Sequence, residues 1–434
     1  MKPDKQKISN GIKEVINFLI EVSKLKETPR TGWVLRKVRN PETIAEHSFR
    51  LAILSWLLAE KADLNVKRAI KIALFHDLCE VYAGDVTPFF YYTQLRGNER
   101  EKQNALMRWV RLSKKEKEKM GKMKSEREKK ALLKLVQSLD PHLKNDILSS
   151  WSDFENRISK EGKFVKQIDK IETLLQSIEY FGSEEKKGGS GWWECTEEAV
   201  DDPLLLDFLK VIQKRFYKNP IKNYRGNKYL ENILDFILEI GKLKKMSGSY
   251  WTLREVKNPE TVASHMFDVA LIAWALSKGK KVDVEKLLKM ALCHEMSAVL
   301  AGDTTLYDRI LPKRGKEKKE ILKKWPRIPK MRKEKIFFLD YKKEKEAIGK
   351  LTKKLEPKSR NEIMQLWKEY KTKTSAEGHL LPQLNVLGVL IQALLYEKKD
   401  SKCSAAPIWE WAFEICDNED CFTFLDEVKK KFYK

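Results

Sequence analysis

Two imidazoles and two carboxylates in the first half of the chain could hold a metal ion. They occupy three separate stretches, as His47, the adjacent pair His76 and Asp77, and Asp169. This donor set suits Mn, Co, Fe, Ni or Zn better than Ca or a thiolate-bound metal, and Mg stays open as well. A bound cation can lower the pKa of water from near 16 to about 7 and can polarise a phosphoryl oxygen. The residues therefore indicate metal-assisted hydrolysis.

Two further carboxylates follow the His-Asp pair in the segment IALFHDLCEVYAGDVTP, residues 72–88. Its apolar residues recur at near-helical spacing, and neither Pro nor Gly intervenes before Gly84, so the pattern predicts one helix that ends there. On such a helix Glu80 lies one turn after His76 and on the same face. We therefore expect Glu80 and Asp85 to be left over for moving protons.

A His-Asp dipeptide on its own is weak evidence, because short motifs arise often by chance. An isolated pair is more often a core histidine beside a solvated aspartate. The surrounding elements therefore decide how the pair is interpreted.

Three helices would have to converge to assemble this set. The pair Asn40-Pro41 is typical of a helix N-cap followed by proline at the first helical position, which predicts a helix carrying His47 about two turns in. Asp169 lies on another apolar-periodic stretch, FVKQIDKIETLLQ. Helical periodicity runs nearly throughout, and alternating β-branched runs are absent, so the sequence predicts an all-α fold.

The first half of the chain recurs in the second half, and TGWVLRKVRNPETIAEH matches SYWTLREVKNPETVASH. The offset is 218 residues where Trp33 pairs with Trp251, and 216 residues where Trp151 pairs with Trp367. A repeat of this length indicates a duplicated domain and not a solenoid.

The repeat predicts two tandem helical bundles, at residues 10–218 and 226–434, joined near Asn219-Pro220. The second copy keeps two histidines, His265 and His294. Asp85 is also kept, as Asp303, but three positions change: Asp77 becomes Glu295, Glu80 becomes Ala298 and Asp169 becomes Asn385. We therefore expect the second copy to keep the fold and to lose the metal site.

On these residues the first half resembles the HD-domain phosphohydrolases, and within them the 5′-deoxynucleotidases. The matching segments over residues 15–218 are GWVLRKV, NPETIAEHS, HDLCEVYAGDVTP and FVKQIDKIE. The resemblance implies a single metal whose ligands are His47, His76, Asp77 and Asp169. It implies Glu80 as the catalytic carboxylate and Asp85 near the water or the sugar.

The resemblance also implies that Trp33 and Arg36 help to form a nucleotide pocket. Bacterial members of this group carry an arginine just before the tryptophan, where this chain has Gly32, so we assign the phosphate contact to Arg36. A two-metal site is not favoured, because His142 is the one histidine left over in the first copy.

The chain is strongly basic, with 86 Lys+Arg against 63 Asp+Glu and a net charge of +23. The second copy, residues 219–434, contributes +14 (44 against 30), whereas residues 1–218 contribute +9 (42 against 33). Such a surface attracts anions such as nucleotides or RNA, although Lys- and Glu-rich surfaces also serve general solvation. A nucleic-acid-binding or regulatory module without turnover is therefore the alternative to an enzyme, but no RNA-binding motif is recognisable.

The six cysteines form no CxxC pair, and the N-terminus MKPDKQKISNG has no signal-peptide core. These features predict free thiols and the reducing cytoplasm. No apolar run approaches the roughly 18 residues of a membrane span. Because single-domain relatives commonly form homodimers, we expect the two copies to form an internal pseudo-dimer.

Overall fold

The computed structural model describes residues 5–86, 113–182, 191–217, 226–312, 328–400 and 403–433. Within these ranges the chain is helical and contains no β-strand apart from two isolated bridges. The all-α prediction is confirmed, and all six cysteines are free thiols as expected. The predicted junction at Asn219-Pro220 lies outside the described residues.

The first copy contributes ten helices to the described ranges. These are α1 (Lys5–Val22), α2 (Thr31–Leu35), α3 (Ile44–Lys61), α4 (Val66–Phe75), α5 (Glu80–Ala83), α6 (Lys114–Leu135), α7 (Pro141–Asn156), α8 (Lys160–Phe181), α9 (Trp192–Ala199) and α10 (Pro203–Tyr217). A 3₁₀ turn at Ser23–Lys26 follows α1.

The second copy repeats this order within its described residues. Its helices are α11 (Lys228–Gly241), α12 (Ser249–Leu253), α13 (Val262–Leu276), α14 (Val284–Cys293), α15 (Ala298–Ala301), α16 (Lys330–Leu351), α17 (Pro357–Thr372), α18 (Ala376–Lys399), α19 (Ala406–Ile415) and α20 (Glu419–Phe432). Two 3₁₀ turns accompany them, at Lys242–Lys245 and Leu306–Arg309.

One described helix is long and apolar enough to cross a membrane. This is α18, and 78% of its apolar window is buried inside the protein. Such burial is typical of the core helix of a soluble domain.

The helix that carries His47 begins later than the Asn40-Pro41 pattern predicts. Thr43 caps α3 instead: its hydroxyl accepts from the Glu46 N–H at 3.3 Å, and the Glu46 carboxylate accepts from the Thr43 N–H at 2.7 Å. The chain at this cap pairs with an earlier segment: the Glu42 carbonyl accepts from the Arg30 N–H at 2.9 Å, and Pro29 and Thr43 form an isolated antiparallel bridge. His47 therefore lies in the first turn of α3.

The periodicity predicts one continuous helix in residues 72–86, and this prediction is wrong. Helix α4 ends at Phe75, residues 76–79 form a turn, and α5 begins at Glu80. Within the turn, each N–H group donates to the carbonyl three residues earlier. The Leu78 N–H donates to the Phe75 carbonyl at 3.2 Å, and the Glu80 N–H donates to the Asp77 carbonyl at 3.0 Å. This tighter winding changes the direction of the side chains it carries. Gly84, with φ of +73°, ends α5 as expected.

The compact units of the protein do not follow the bounds of the sequence repeat. The first unit contains Glu21–Asp235, and the second unit contains Met1–Ile20 together with Phe236–Lys434. Most of α1 therefore belongs with the second copy, and the first half of α11 belongs with the first copy. The bounds 10–218 and 226–434 stay a prediction about the duplicated sequence.

Contacts inside each unit show how the exchanged helices are held. In the second unit, the Ser9 hydroxyl of α1 donates to the Glu427 carboxylate at 2.8 Å, and Phe18 packs edge-on against Trp274. In the first unit, the Tyr229 hydroxyl of α11 donates to the Leu57 carbonyl at 3.2 Å. Each copy therefore relies on the first helix of the other to complete its compact unit.

A chain truncated after residue 218 should fold poorly or dimerise with itself. It lacks the part of α11 that belongs to the first unit and keeps an α1 whose apolar partners are in the second unit. The measurement is the soluble yield and the mass by light scattering. Residues 21–241, of similar length but containing the whole first unit, serve as the control and should be better folded. A monomeric and fully active chain of residues 1–218 would contradict this account.

Candidate metal centre

His47 is completely buried and is held from both sides by α8. Its Nε2 lies 3.1 Å from Oδ1 of Asp169, and its Nδ1 contacts the carboxylate of Glu172. The guanidinium of Arg50, one turn along α3, donates to Glu172 from Nε at 2.7 Å. A carboxylate on the second ring nitrogen orients an imidazole toward a metal and raises its basicity.

His76 is fixed by the backbone of the helix it ends. The Ala73 carbonyl lies 2.8 Å from Nδ1, which leaves Nε2 for another partner. Nε2 is buried and lies 3.0 Å from Oδ2 of Asp77. The ring packs on Phe154, with ring centroids 4.8 Å apart, and faces His47 at 5.5 Å. An imidazole nitrogen beside a carboxylate oxygen is suited to a shared metal ion.

The predicted ligand set is brought together by the fold. Potential ligand atoms of His47, His76 and Asp77 all lie within 4.8 Å of one another, and Asp169 touches His47. Two imidazole nitrogens with carboxylate oxygens fit a divalent ion of the first transition row. That each of these four residues binds the ion stays a prediction, which this geometry supports.

A second group of potential ligands combines His47 with Glu42 and Glu172. Both carboxylates have other partners, because Arg50 binds Glu172 and the indole N–H of Trp33 donates to Glu42 at 2.9 Å. We therefore interpret this group as the hydrogen-bonded surroundings of His47 and not as a second metal site.

Arg30 is a site residue that the sequence reasoning missed. Its Nη1 donates to Oδ2 of Asp77 at 2.7 Å, and its Nε lies 4.0 Å from Asp85. Asp85 also accepts from the Thr31 N–H at 2.6 Å. The signal available in the sequence was an arginine three residues before Trp33, where the family pattern places one directly before it.

Glu80 is buried at the first position of α5, with 2% of its surface exposed. Burial raises the pKa of its carboxyl group well above the usual value. Asp77 and Asp85 raise this pKa further, whereas Arg30 and Lys124 lower it. Its Oε2 has no hydrogen-bond partner. Glu80 is therefore suited to carry a proton at neutral pH.

Two lysines of α8 pair with carboxylates, one of which is the predicted metal ligand Asp169. Lys170 Nζ lies 2.9 Å from Asp169, and Lys166 Nζ lies 2.6 Å from Glu155. Burial lowers the pKa of Lys166, Glu155 opposes that effect, and Lys170 and Lys124 lower it further. Lys170 and Lys124 therefore add positive charge near Lys166, and positive charge of this kind attracts anions.

Trp33 and Arg36 are the two residues predicted to help form a nucleotide pocket. Trp33 is 1% exposed and packs against the rings of Tyr180, Phe181 and Trp192, so its surroundings are those of a packing anchor. The Arg36 guanidinium lies 5.3 Å from the Trp192 ring. Their role in a nucleotide pocket stays a prediction.

In the corresponding region of the second copy, a histidine, an asparagine and a tyrosine form a hydrogen-bond chain. His265 Nε2 lies 2.9 Å from Oδ1 of Asn385, and the Asn385 amide donates to the Tyr370 hydroxyl at 3.0 Å. Tyr370 stands where the first copy has Phe154. Glu295 lies 4.0 Å from the ammonium of Lys371, which also pairs with Glu344 at 2.7 Å. Both potential metal groups found among the described residues lie in the first copy.

The surroundings of His47 are also replaced in the second copy. Arg50 corresponds to Asp268, and Glu172 corresponds to Gly388. A Cβ atom at Gly388 would lie 2.8 Å from the Cδ1 atom of Ile272, so no side chain fits there without a shift. The ligands and the groups that orient them are therefore lost together.

Comparison with known proteins agrees with this architecture. An HD domain family model matches residues 22–193 and again residues 240–408. The chain belongs to the HD domain family. It is a tandem of two HD-domain helical bundles, of which the second is degenerate.

The most similar relatives include three proteins named 5′-deoxynucleotidases. HDDC2 of Xenopus laevis is 32% identical over 205 residues, which are 47% of this chain and 88% of that protein. HDDC2 of Homo sapiens is 32% identical over 205 residues, 47% of this chain and 87% of that protein. The protein hdd1 of Schizosaccharomyces pombe is 32% identical over 209 residues, 46% of this chain and 90% of that protein. Each relative thus matches a stretch the length of one copy.

The chain should bind one divalent ion, because the first copy alone has the anionic ligand set. Elemental analysis of the purified protein should give one equivalent for the wild type and close to none for His76→Ala. The matched variant His294→Ala should keep one equivalent. Two equivalents in the wild type, or loss of metal in His294→Ala, would show that the second copy also binds metal.

Metal affinity should rise with pH up to about pH 9. Burial and Arg30 lower the pKa of the His47 imidazole, but Glu172 and Asp169 raise it more, to about 9. The imidazole is then protonated at neutral pH, and binding must displace that proton. Between pH 6.5 and 8, affinity should rise about tenfold for each pH unit.

Calorimetric titration of the metal-free protein in buffers of different ionisation enthalpy checks this proton release. The variant Glu172→Gln removes a carboxylate that raises the pKa of His47, so its affinity should depend less on pH above about pH 6.5. An affinity independent of pH in the wild type would contradict the assignment of His47 as a ligand.

Proposed function

We propose that the protein is a metal-dependent 5′-nucleotidase that releases phosphate from deoxynucleoside 5′-monophosphates, with turnover in the first copy only. The observation that carries this proposal is the cluster of potential ligand atoms on His47, His76 and Asp77, which all lie within 4.8 Å of one another. The relatives named 5′-deoxynucleotidases, which match a full copy at 32% identity, support the substrate class.

The metal would be held by His47, His76, Asp77 and Asp169. When bound, it would supply Lewis-acid activation of water and of the phosphate group. Its identity among Mn, Co, Fe, Ni, Zn and Mg is not set by the donor atoms alone.

Arg30, Lys166 and Lys170 would bind the phosphate dianion. Arg30 lies against Asp77 and Asp85, and Lys170 lies against Asp169, so these cations already border the centre. Opposite charges near a transferred phosphoryl group stabilise the charge that develops on its oxygens. Arg30 thereby replaces Arg36 as our assignment for the phosphate contact.

Glu80 would hold a proton at its carboxyl group and deliver it to the 5′-oxygen of the leaving nucleoside. Burial and the neighbouring carboxylates favour its protonated form. Asp85, held by the Thr31 N–H, would orient the attacking water or the sugar. As the water oxygen bonds to phosphorus and the bond to the 5′-oxygen breaks, the proton that the water loses would pass to Asp85 and from there restore the proton on Glu80.

We further propose that the second copy serves as a structural partner in an internal pseudo-dimer. The exchanged first helices of the two compact units support this view. The cytoplasmic location stays a prediction from the sequence.

The function is tested by measuring phosphate release from a panel of deoxynucleoside and nucleoside 5′-monophosphates, each with Mn, Co, Mg and Zn. We expect the deoxynucleotides to be hydrolysed with at least one of these metals and 3′-monophosphates to be poor substrates. Failure of every metal and nucleotide combination in a metal-loaded protein would refute the proposal.

Replacing Glu80 by alanine should lower turnover by about 10²- to 10⁴-fold, because a general acid contributes on that order. Metal content should stay close to one equivalent, since Glu80 is not assigned as a ligand. If metal is lost together with activity, Glu80 is a ligand and the division of roles is wrong.

Replacing Arg30 by alanine should reduce kcat/KM about 10²-fold, whereas Arg36→Ala should have a smaller effect. Charge-assisted contacts to phosphate are among the stronger hydrogen bonds, and Arg30 is bonded to Asp77 of the metal centre, whereas the Arg36 guanidinium lies over the Trp192 ring. Steady-state kinetics on one deoxynucleotide, with inorganic phosphate as inhibitor, compares the two variants. The reverse ranking would return the phosphate contact to Arg36.

A further inference from the structure

Helix α16 of the second copy exposes three consecutive large apolar residues. The exposed fractions are 49% for Phe337, 69% for Phe338 and 45% for Leu339, and Met331 nearby is 83% exposed. Exposed aromatic side chains in succession are costly for a surface helix and often mark an interaction site.

Lysines alternate with the apolar residues along one side of this helix. The residues Met331, Lys335, Phe338, Lys342 and Lys345 are all exposed, and their spacing of four and three residues places them on one stripe. Exposed glutamates flank the stripe at positions 334 and 346. Two other acidic residues of α16 are paired elsewhere, Asp340 with Arg309 and Glu344 with Lys371.

The first copy builds the equivalent helix without these aromatic residues. Helix α6 has the same length as α16, and the 216-residue offset superimposes their ends. Where α16 has Phe337, Phe338 and Leu339, α6 has Gly121, Lys122 and Met123. The HD-domain fold therefore does not require the aromatic pair, which is present only in the copy that lacks the metal ligands.

The pattern fits a polyanion with flat, apolar faces. Single-stranded nucleic acid binds proteins through basic grooves that follow its phosphates and through aromatic side chains on which its bases stack. We propose that α16 binds single-stranded nucleic acid, with Phe337 and Phe338 as stacking surfaces and Lys335 and Lys342 as phosphate contacts. The +14 charge of the second copy favours the same partner.

A membrane surface fits this helix less well. A helix lying in the interface of a bilayer buries one continuous apolar face. Here Phe337 and Leu339 project about 200° apart, and Phe338 between them shares its stripe with Lys335 and Lys342. No orientation of α16 buries all three apolar residues without burying the lysines.

The test uses the full chain, labelled poly-U and poly-dT oligonucleotides, and fluorescence anisotropy at several salt concentrations. The variant Lys335→Glu/Lys342→Glu should weaken binding at least tenfold and reduce the salt slope by about 1.4, since two phosphate contacts are lost. The variant Phe337→Ala/Phe338→Ala should weaken binding at least tenfold with little change in the salt slope.

The matched control is Lys119→Glu/Lys122→Glu on α6, which changes the net charge of the chain equally. It should leave affinity nearly unchanged, because α6 lacks the aromatic pair. Equal losses in both charge variants would overturn the proposal in favour of general attraction to a basic protein, and so would an absence of binding. Circular dichroism and phosphate release show that each variant is folded.

A second arm measures sedimentation with phosphatidylserine vesicles. We expect the full chain to bind these vesicles weakly at physiological salt. Vesicle binding that is abolished by Phe337→Ala/Phe338→Ala, combined with oligonucleotide binding that this variant leaves intact, would overturn the proposal and assign α16 to membranes.

Discussion

The first copy must balance the charge of carboxylates that it buries beside two imidazoles. Asp77, Glu80 and Asp169 are each nearly inaccessible to water, and removing an ion from water costs several kcal/mol in a protein. Arg30 and Lys170 offset part of this cost through direct contacts. Burial raises the pKa of Glu80, which favours its uncharged form and lowers this cost. A divalent cation between the imidazoles would provide the remaining positive charge, so folding of this region and metal binding should be linked.

The same requirement explains how the second copy has diverged. Loss of the metal would leave buried anions without compensation, and the replacements at these positions remove or neutralise them. Asn385 and Ala298 carry no charge, Lys371 lies near Glu295, and the Tyr370 hydroxyl satisfies the Asn385 amide. Asn385 and Tyr370 act as a pair, because the Tyr370 hydroxyl accepts from a buried amide that needs a partner. The apolar core around Trp251 and Trp274 is kept, so the fold survives the loss of the site.

Sequence patterns were sufficient to predict the all-α class, the duplication, and the close approach of His47, His76 and Asp77 in the fold. They failed where tertiary contacts overrode local signals. The capping box at Thr43 displaced the proline-based start of α3, and the turn at residues 76–79 interrupted an otherwise regular helical periodicity. Arg30 was missed because its contacts with Asp77 and Asp85 span about 50 residues of sequence. The exchange of first helices leaves no local trace, since α1 and α11 are similar amphipathic helices that suit either core.

The central claim is that one metal ion lies between the two imidazoles of the first copy. Anomalous diffraction from crystals of the metal-loaded protein, collected at the absorption edge of the bound element, locates that ion directly. The account predicts one strong peak within bonding distance of His47, His76, Asp77 and Asp169. A peak beside His265 and His294, or one between Glu42 and Glu172, would contradict it.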